Sequence, residues 1–144
     1  MGISLTPEEQ FEIFGTDKLD QHRDEAEPRW GETDAWKESE RRTAAYTKDD
    51  WIATKREADD NIKGFADALR VGEPATSAVA MDLAEAHRRH LSRWFFECGY
   101  DMHRGLAQLY VSDPRYIANY DEVAPGFSYY VHDAILANAD RRVG

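Results

Sequence analysis

No strand-length window of this sequence alternates apolar with polar side chains, and β-branched residues are sparse. A sheet therefore has no support. Apolar positions instead recur three and four apart, the interval that lines one face of a helix. The expectation is an all-α chain.

Helix starts and stops are written into the text. Thr6-Pro7-Glu8-Glu9 supplies a capping threonine, a first-turn proline and a glutamate at the capping-box position; Phe11 and Phe14 follow, and Gly15 closes that helix. A second helix is expected from about Asp20 to Trp30, charged from Asp24 to Glu27 and disturbed by Pro28. A third opens at Thr33 and reaches Tyr46. Thr47-Lys48-Asp49-Asp50 caps a long helix with Trp51, Ala58, Ile62, Phe65 and Leu69 on one stripe, ended by Gly72 and Pro74. Ser77 starts the next, whose stripe is Ala80, Leu83, Ala84, His87, Leu91 and Trp94. Gly99 breaks the chain after Cys98. The short helix beyond is expected to turn Met102, Leu106, Leu109 and Tyr110 inward, with Gly105 on that same face. Asp113-Pro114 caps a piece holding Tyr116, Ile117 and Tyr120, and Pro125 opens a last helix facing inward through Phe127, Tyr130, Val131, Ala134 and Ile135.

The two ends of the chain differ. Residues 47–144 offer about five helices with short connections, enough for a helical core. Residues 1–46 carry aromatic anchors separated by charged stretches, and such a segment buries little apolar surface against its ordering entropy. It is expected to act as a lid that orders when a ligand fills the space beneath it.

Charge excludes one class of partner. Acidic residues number 28 against 18 basic ones, a formal net charge of −10. That surface repels phosphate, so nucleic acid is not expected to bind this domain. The one cysteine rules out an internal disulfide and suits a reducing compartment, hence a cytoplasmic location. No apolar run approaches the ~20 residues of a membrane span. The first residues lack a signal peptide's basic and apolar regions, and Gly2 fits a myristoylation pattern only loosely.

No assembled chemistry stands out, and no catalytic residue, metal or cofactor is expected. Cys98 on a mostly apolar segment reads as a buried filler rather than a nucleophile. His87 lies within an apolar stripe and His90 on another flank; His22 and His132 are isolated, and no zinc-ligand spacing appears. A haem ligand at His87 or His103 in a globin-like domain is the sharper alternative. The acidic pairs Glu8-Glu9, Asp49-Asp50 and Asp59-Asp60 sit at helix starts or on polar faces. Four Trp, seven Tyr and six Phe, however, exceed what a core this size requires. Trp94-Phe95-Phe96 cannot all face one core from a helix. Aromatics with few polar anchors suit an apolar ligand pocket; a helical core with an oligomer interface fits the same pattern.

The same residues carry a resemblance. Leu5-Thr-Pro-Glu-Glu, Phe11-Glu-Ile-Phe-Gly, Arg29-Trp-Gly, Tyr46-Thr-Lys-Asp-Asp-Trp, Gly72-Glu-Pro-Ala, Cys98-Gly-Tyr-Asp-Met-His, Tyr110-Val-Ser-Asp and Asp133-Ala-Ile-Leu-Ala-Asn-Ala occur in this order. Together they make the chain similar to the TipA-type (TipAS) drug-binding domain, found at the C-terminus of certain MerR-like transcription activators. The resemblance spans essentially the whole length. It implies a globin-like helical fold without haem, recognition of bulky antibiotics, thiopeptides above all, and an N-terminal segment that orders on binding. Regulators of this kind act through a separate DNA-binding domain, and a free-standing copy could sequester the drug. The family's attachment cysteine in Met-His-x-Cys-Leu is absent: the text here is Met102-His-Arg-Gly105-Leu106. The resemblance therefore implies reversible binding. Helical facing and resemblance together nominate Phe11, Phe14, Trp30, Trp36, His87, Trp94, Phe95, Cys98, Met102 and Gly105 as ligand-binding residues.

Overall fold

The computed structural model describes residues 5–16 and 19–143, except for the side chains of 19–23 and 143. Gly2 and the His22 side chain lie outside the described residues. The fold is all-α. Its helices are α1 (Pro7–Phe14), α2 (Leu19–Trp30), α3 (Asp34–Thr43), α4 (Lys48–Arg70), α5 (Ala78–Trp94), α6 (Tyr100–Ser112), α7 (Pro114–Asp121) and α8 (Phe127–Val143), with no strand among the described residues.

The expected caps form. The Thr6 hydroxyl accepts from the Glu9 N–H at 3.1 Å and the Glu9 carboxylate accepts from the Thr6 N–H at 3.0 Å. Thr47 and Asp50 exchange the same pair at 3.2 and 2.9 Å. Each box satisfies two backbone donors that a bare helix end leaves unpaired. Gly72, at φ +83°, turns the chain after α4 in the left-handed region that a residue with a Cβ rarely adopts.

α2 runs through Pro28 and ends at Trp30 as expected, because a proline near a helix end forfeits one backbone bond without breaking the remainder. One boundary differs from expectation. α3 stops at Thr43, not Tyr46: the Ala45 and Tyr46 N–H groups donate three residues back, to the Arg42 and Thr43 carbonyls, and tighten the chain into turns.

The described chain forms two compact units. One holds residues 1–58 and 90–97, the other residues 59–89 and 98–144, so α4 and α5 each contribute to both.

In the second unit α6 packs against α7 and α8 around Phe65, Ala68, Ala80, Ala84, Ala107, Tyr110, Phe127, Tyr130, Val131, Ala134 and Ile135. Alanines at the contact positions let helices approach, and the rings fill what remains. Phe65 meets Phe127 and Tyr130 edge-on, each at 6.4 Å. Burying one such phenylalanine contributes about 1.5–3 kcal/mol. Gly64 is a second small contact, since a Cβ there would lie 2.6 Å from Leu83 Cδ2. The five inward residues expected of α8 are all buried.

The face of α6 is a correction. His103, Ala107 and Tyr110 are its buried residues. Met102 is exposed, and so is Gly105, where a Cβ would meet nothing within 4 Å. The stripe expected through Met102, Leu106 and Leu109 sits one residue early, since His103, Ala107 and Tyr110 follow each of them in turn. A neutral imidazole buries well when another ring accepts it, and that turns the helix.

Candidate ligand-binding site

The first unit gathers rings from α1, α4, α5 and the turn before α4. Trp51 is the hub: Phe14 meets it at 5.8 Å and Tyr46 at 5.4 Å, both edge-on, and Phe95 lies 6.4 Å away, tilted. Tyr46 stands edge-on to Trp94 at 5.6 Å, and its hydroxyl donates to the Trp94 carbonyl. Such pairs add about 0.5–1.5 kcal/mol each beyond their buried area. α5 ends at Trp94, so Phe95 leaves the helix and both rings join one cluster, although consecutive helical residues could not.

One carboxylate anchors this end of α5. Glu57 Oε1 accepts from His90 Nδ1 at 2.7 Å and from Trp94 Nε1 at 3.3 Å, while its Oε2 accepts from Arg93 at 3.0 Å. His90 is buried against it and also touches Phe95 edge-on at 6.0 Å. Arg42 joins the same unit by donating to the Ser92 carbonyl at 2.8 Å.

The second unit carries a polar counterpart. His87 Nδ1 lies 2.8 Å from His103 Nε2 with the rings stacked at 5.1 Å, so the two imidazoles share one proton. Burial, and next the Arg88 guanidinium, hold His103 down at about 4, which keeps it neutral at neutral pH. Tyr110 meets His87 at 6.1 Å, Tyr116 at 5.4 Å and Tyr120 at 4.9 Å. Burial above all raises the Tyr110 phenol well above its ordinary range and pushes Tyr120 up to about 12. Beside them the buried Glu85 accepts from Arg88 at 2.7 and 3.1 Å, and from Arg89, Tyr100 and Asn138, each at 3.1 Å. Burial alone would raise the Glu85 carboxyl; its donors, led by Arg88, outweigh that and hold it at about 2.

The nominated residues divide between the units. Phe14, Trp94 and Phe95 come together in the aromatic cluster, through Trp51 and Tyr46. Phe11 belongs to the same unit but is 63% exposed. Trp30 and Trp36 are half-buried, the first with the Arg29 guanidinium 5.1 Å over its ring. All four tryptophans fall in this unit. His87, Cys98, Met102 and Gly105 belong to the other unit; His87 joins the imidazole–tyrosine cluster and Cys98 is buried at 1% exposure.

Sequence alone does not mark Trp51, Tyr46 or Glu57 as candidates, and it offers His103 only as a haem ligand. Trp51 falls on a core stripe. Nothing local marks Glu57, whose partner His90 stands 33 residues away. Among the described residues no set of three or more His, Cys, Asp or Glu side chains is placed to hold a metal, and no helix is long and apolar enough to cross a membrane.

Comparisons with known proteins converge on one group. Residues 22–138 match the model of the TipAS antibiotic-recognition domain. The chain is 50% identical over 141 residues to the HTH-type transcriptional activator TipA of Streptomyces coelicolor, a match covering 98% of this chain and 56% of that protein. It thus spans little more than half the length of that curated relative. The structure resembles TipAS of Streptomyces lividans in complex with the thiopeptide nosiheptide, at a TM-score of 0.90 and 48% identity, covering 99% of this chain and 100% of that one. It also resembles the antibiotic-binding domain of a TipA-class multidrug resistance transcriptional regulator, at a TM-score of 0.60 and 45% identity, over 65% of this chain and 100% of that one.

Proposed function

The chain belongs to the TipAS antibiotic-recognition family, and on that premise we propose that it binds bulky peptide antibiotics of the thiopeptide kind, reversibly and without chemistry. The observation that carries this reading is the match over 99% of the chain to TipAS, a protein solved with nosiheptide in place. The aromatic cluster around Trp51 supports it, since rings with few charged anchors suit an apolar guest.

Reversibility rests on thiol access. The chain has one cysteine, Cys98, at 1% exposure, and a glycine stands at 105. A covalent adduct needs a thiol the ligand can reach. Residues 1–46 are proposed as the ligand-ordered lid over a 47–144 core; in support, α3 has no fully buried residue and α1 only Gln10. The relative's HTH name supports a role as the effector domain of a drug-responsive transcription regulator, located in the cytoplasm, with a separate segment for DNA; sequestration of the drug is the use open to this domain alone.

The haem alternative fits less well. His87 and His103, its two candidate ligands, are turned onto each other.

Titration with nosiheptide tests the proposal. Ligand at about a hundred times Kd stabilises the fold by about 2.7 kcal/mol, several degrees in Tm. Intact mass after incubation should show the unmodified chain. An adduct on the native chain overturns reversibility; no change in Tm with nosiheptide or related peptides overturns the ligand class.

A further inference from the structure

Two polar side-chain atoms of the first unit, Gln10 Oε1 and Trp51 Nε1, are buried without a hydrogen-bond partner among the described residues. Gln10 is 3% exposed and Trp51 5%. One is an acceptor and the other a donor. Leaving such a group unpaired is costly, and native folds rarely do so without a use for it.

Both side chains neighbour Phe14. Gln10 stands one turn before Phe14 on α1, and side chains four apart share a helix face. Phe14 sets its ring edge-on against Trp51 at 5.8 Å, and Glu12 pairs with Lys48 at 3.2 Å, so α1 lies along the start of α4. The glutamine cannot be turned around freely. Its Nε2 donates to the Leu5 carbonyl at 3.2 Å, and a flip would set oxygen against oxygen. Oε1 is therefore the end left over. Trp51 is fixed in turn by Phe14, Tyr46 and Phe95.

A neutral donor and a neutral acceptor amid rings select a particular guest. A carboxylate would satisfy the indole and repel the Gln10 oxygen; an ammonium would do the reverse. A secondary amide offers one group to each. We propose that Gln10 and Trp51 form a donor–acceptor pair that recognises a backbone amide of a peptide antibiotic, its carbonyl accepting from Trp51 Nε1–H and its N–H donating to Gln10 Oε1. This rests on the ligand-binding reading above and narrows it from bulky apolar guests to those presenting an unblocked amide. The pair is completed only when a ligand amide sits between the two side chains.

The test uses the full chain, nosiheptide as the probe, calorimetry for Kd, and the Trp51 indole N–H resonance. Gln10→Met keeps the shape and removes the acceptor. Its Tm without nosiheptide should stay about unchanged, because the bond lost to Leu5 is offset by the removal of an unpaired oxygen. Its affinity for nosiheptide should fall about tenfold. In the native chain, nosiheptide should move the Trp51 indole proton downfield. Trp51→Phe should lose a similar factor; if it fails to fold, the glutamine variant and the resonance decide. Equal affinity for native and Gln10→Met chains with an unmoved indole proton overturns the amide clamp and leaves the parent reading standing. So does a Gln10→Met chain that melts lower with Kd unchanged, which would mean the two atoms serve only the fold. A native chain that ignores nosiheptide overturns the parent reading and the clamp with it.

Discussion

His103 enters the second unit as a base that has given up its proton. Its ordinary value is 6.5, and burial with help from Arg88 brings it to about 4. The unfolded chain takes up the proton below 6.5, whereas the folded chain resists until about 4. The stabilisation is therefore complete above pH 6.5 and is lost as pH falls toward 4, about 3 kcal/mol in all. Urea unfolding at stepped pH should show that slope in the native chain and lose most of it in His103→Asn. Glu85, held at about 2 from 4.5, gives way below 4.5, so the slope between pH 6.5 and 4.5 is the part to assign to His103. Gly105 makes a simpler case. It sits inside α6 with open space where a Cβ would go, so Gly105→Ala should raise stability by about 0.5–1 kcal/mol, read as a higher Tm. Residues of this kind were the least legible in the sequence. Whether a histidine is core or surface depends on the ring it meets, and His87 stands 16 positions from His103.

Helices were more legible than residues, because their ends are governed locally. Thr6, Thr33, Thr47, Ser77 and Asp113 each cap the helix expected of them, the side chain accepting from a backbone N–H two or three residues on. Thr47→Ala removes half of a reciprocal box at the head of the longest helix and should cost about 1 kcal/mol. Chemical denaturation would show it as a lowered midpoint with unchanged slope. The approach of helices was not legible. Gly64 carries no signal in the α4 stripe, yet it is where Leu83 closes in, with Asn61 donating to the Leu83 carbonyl at 2.9 Å beside it. Gly64→Leu should overpack that contact and cost about 1–3 kcal/mol. The misplaced face of α6 has the same origin: periodicity orients a helix only as well as its residues are sorted into apolar and polar.

At the scale of the whole chain, fold class and family were legible because the motifs span its length. The make-up of the two units was not, since His90 to Glu97 join residues far upstream through Glu57, Tyr46 and Trp51. The ordering proposed for residues 1–46 has a direct measurement. With few fully buried side chains, amides of α1–α3 should exchange faster than those of α6 and α8, and nosiheptide should slow the former. Uniform exchange in both states would remove the lid. The distribution of rings makes a second readout available with no label at all. Every indole lies in residues 1–58 or 90–97, whereas six of the seven tyrosines lie in the other unit. Light absorbed only by indoles thus interrogates one half of the molecule, and phenol emission the other. A guest seated among Trp51 and its neighbours would quench the first colour while leaving the second as an internal standard.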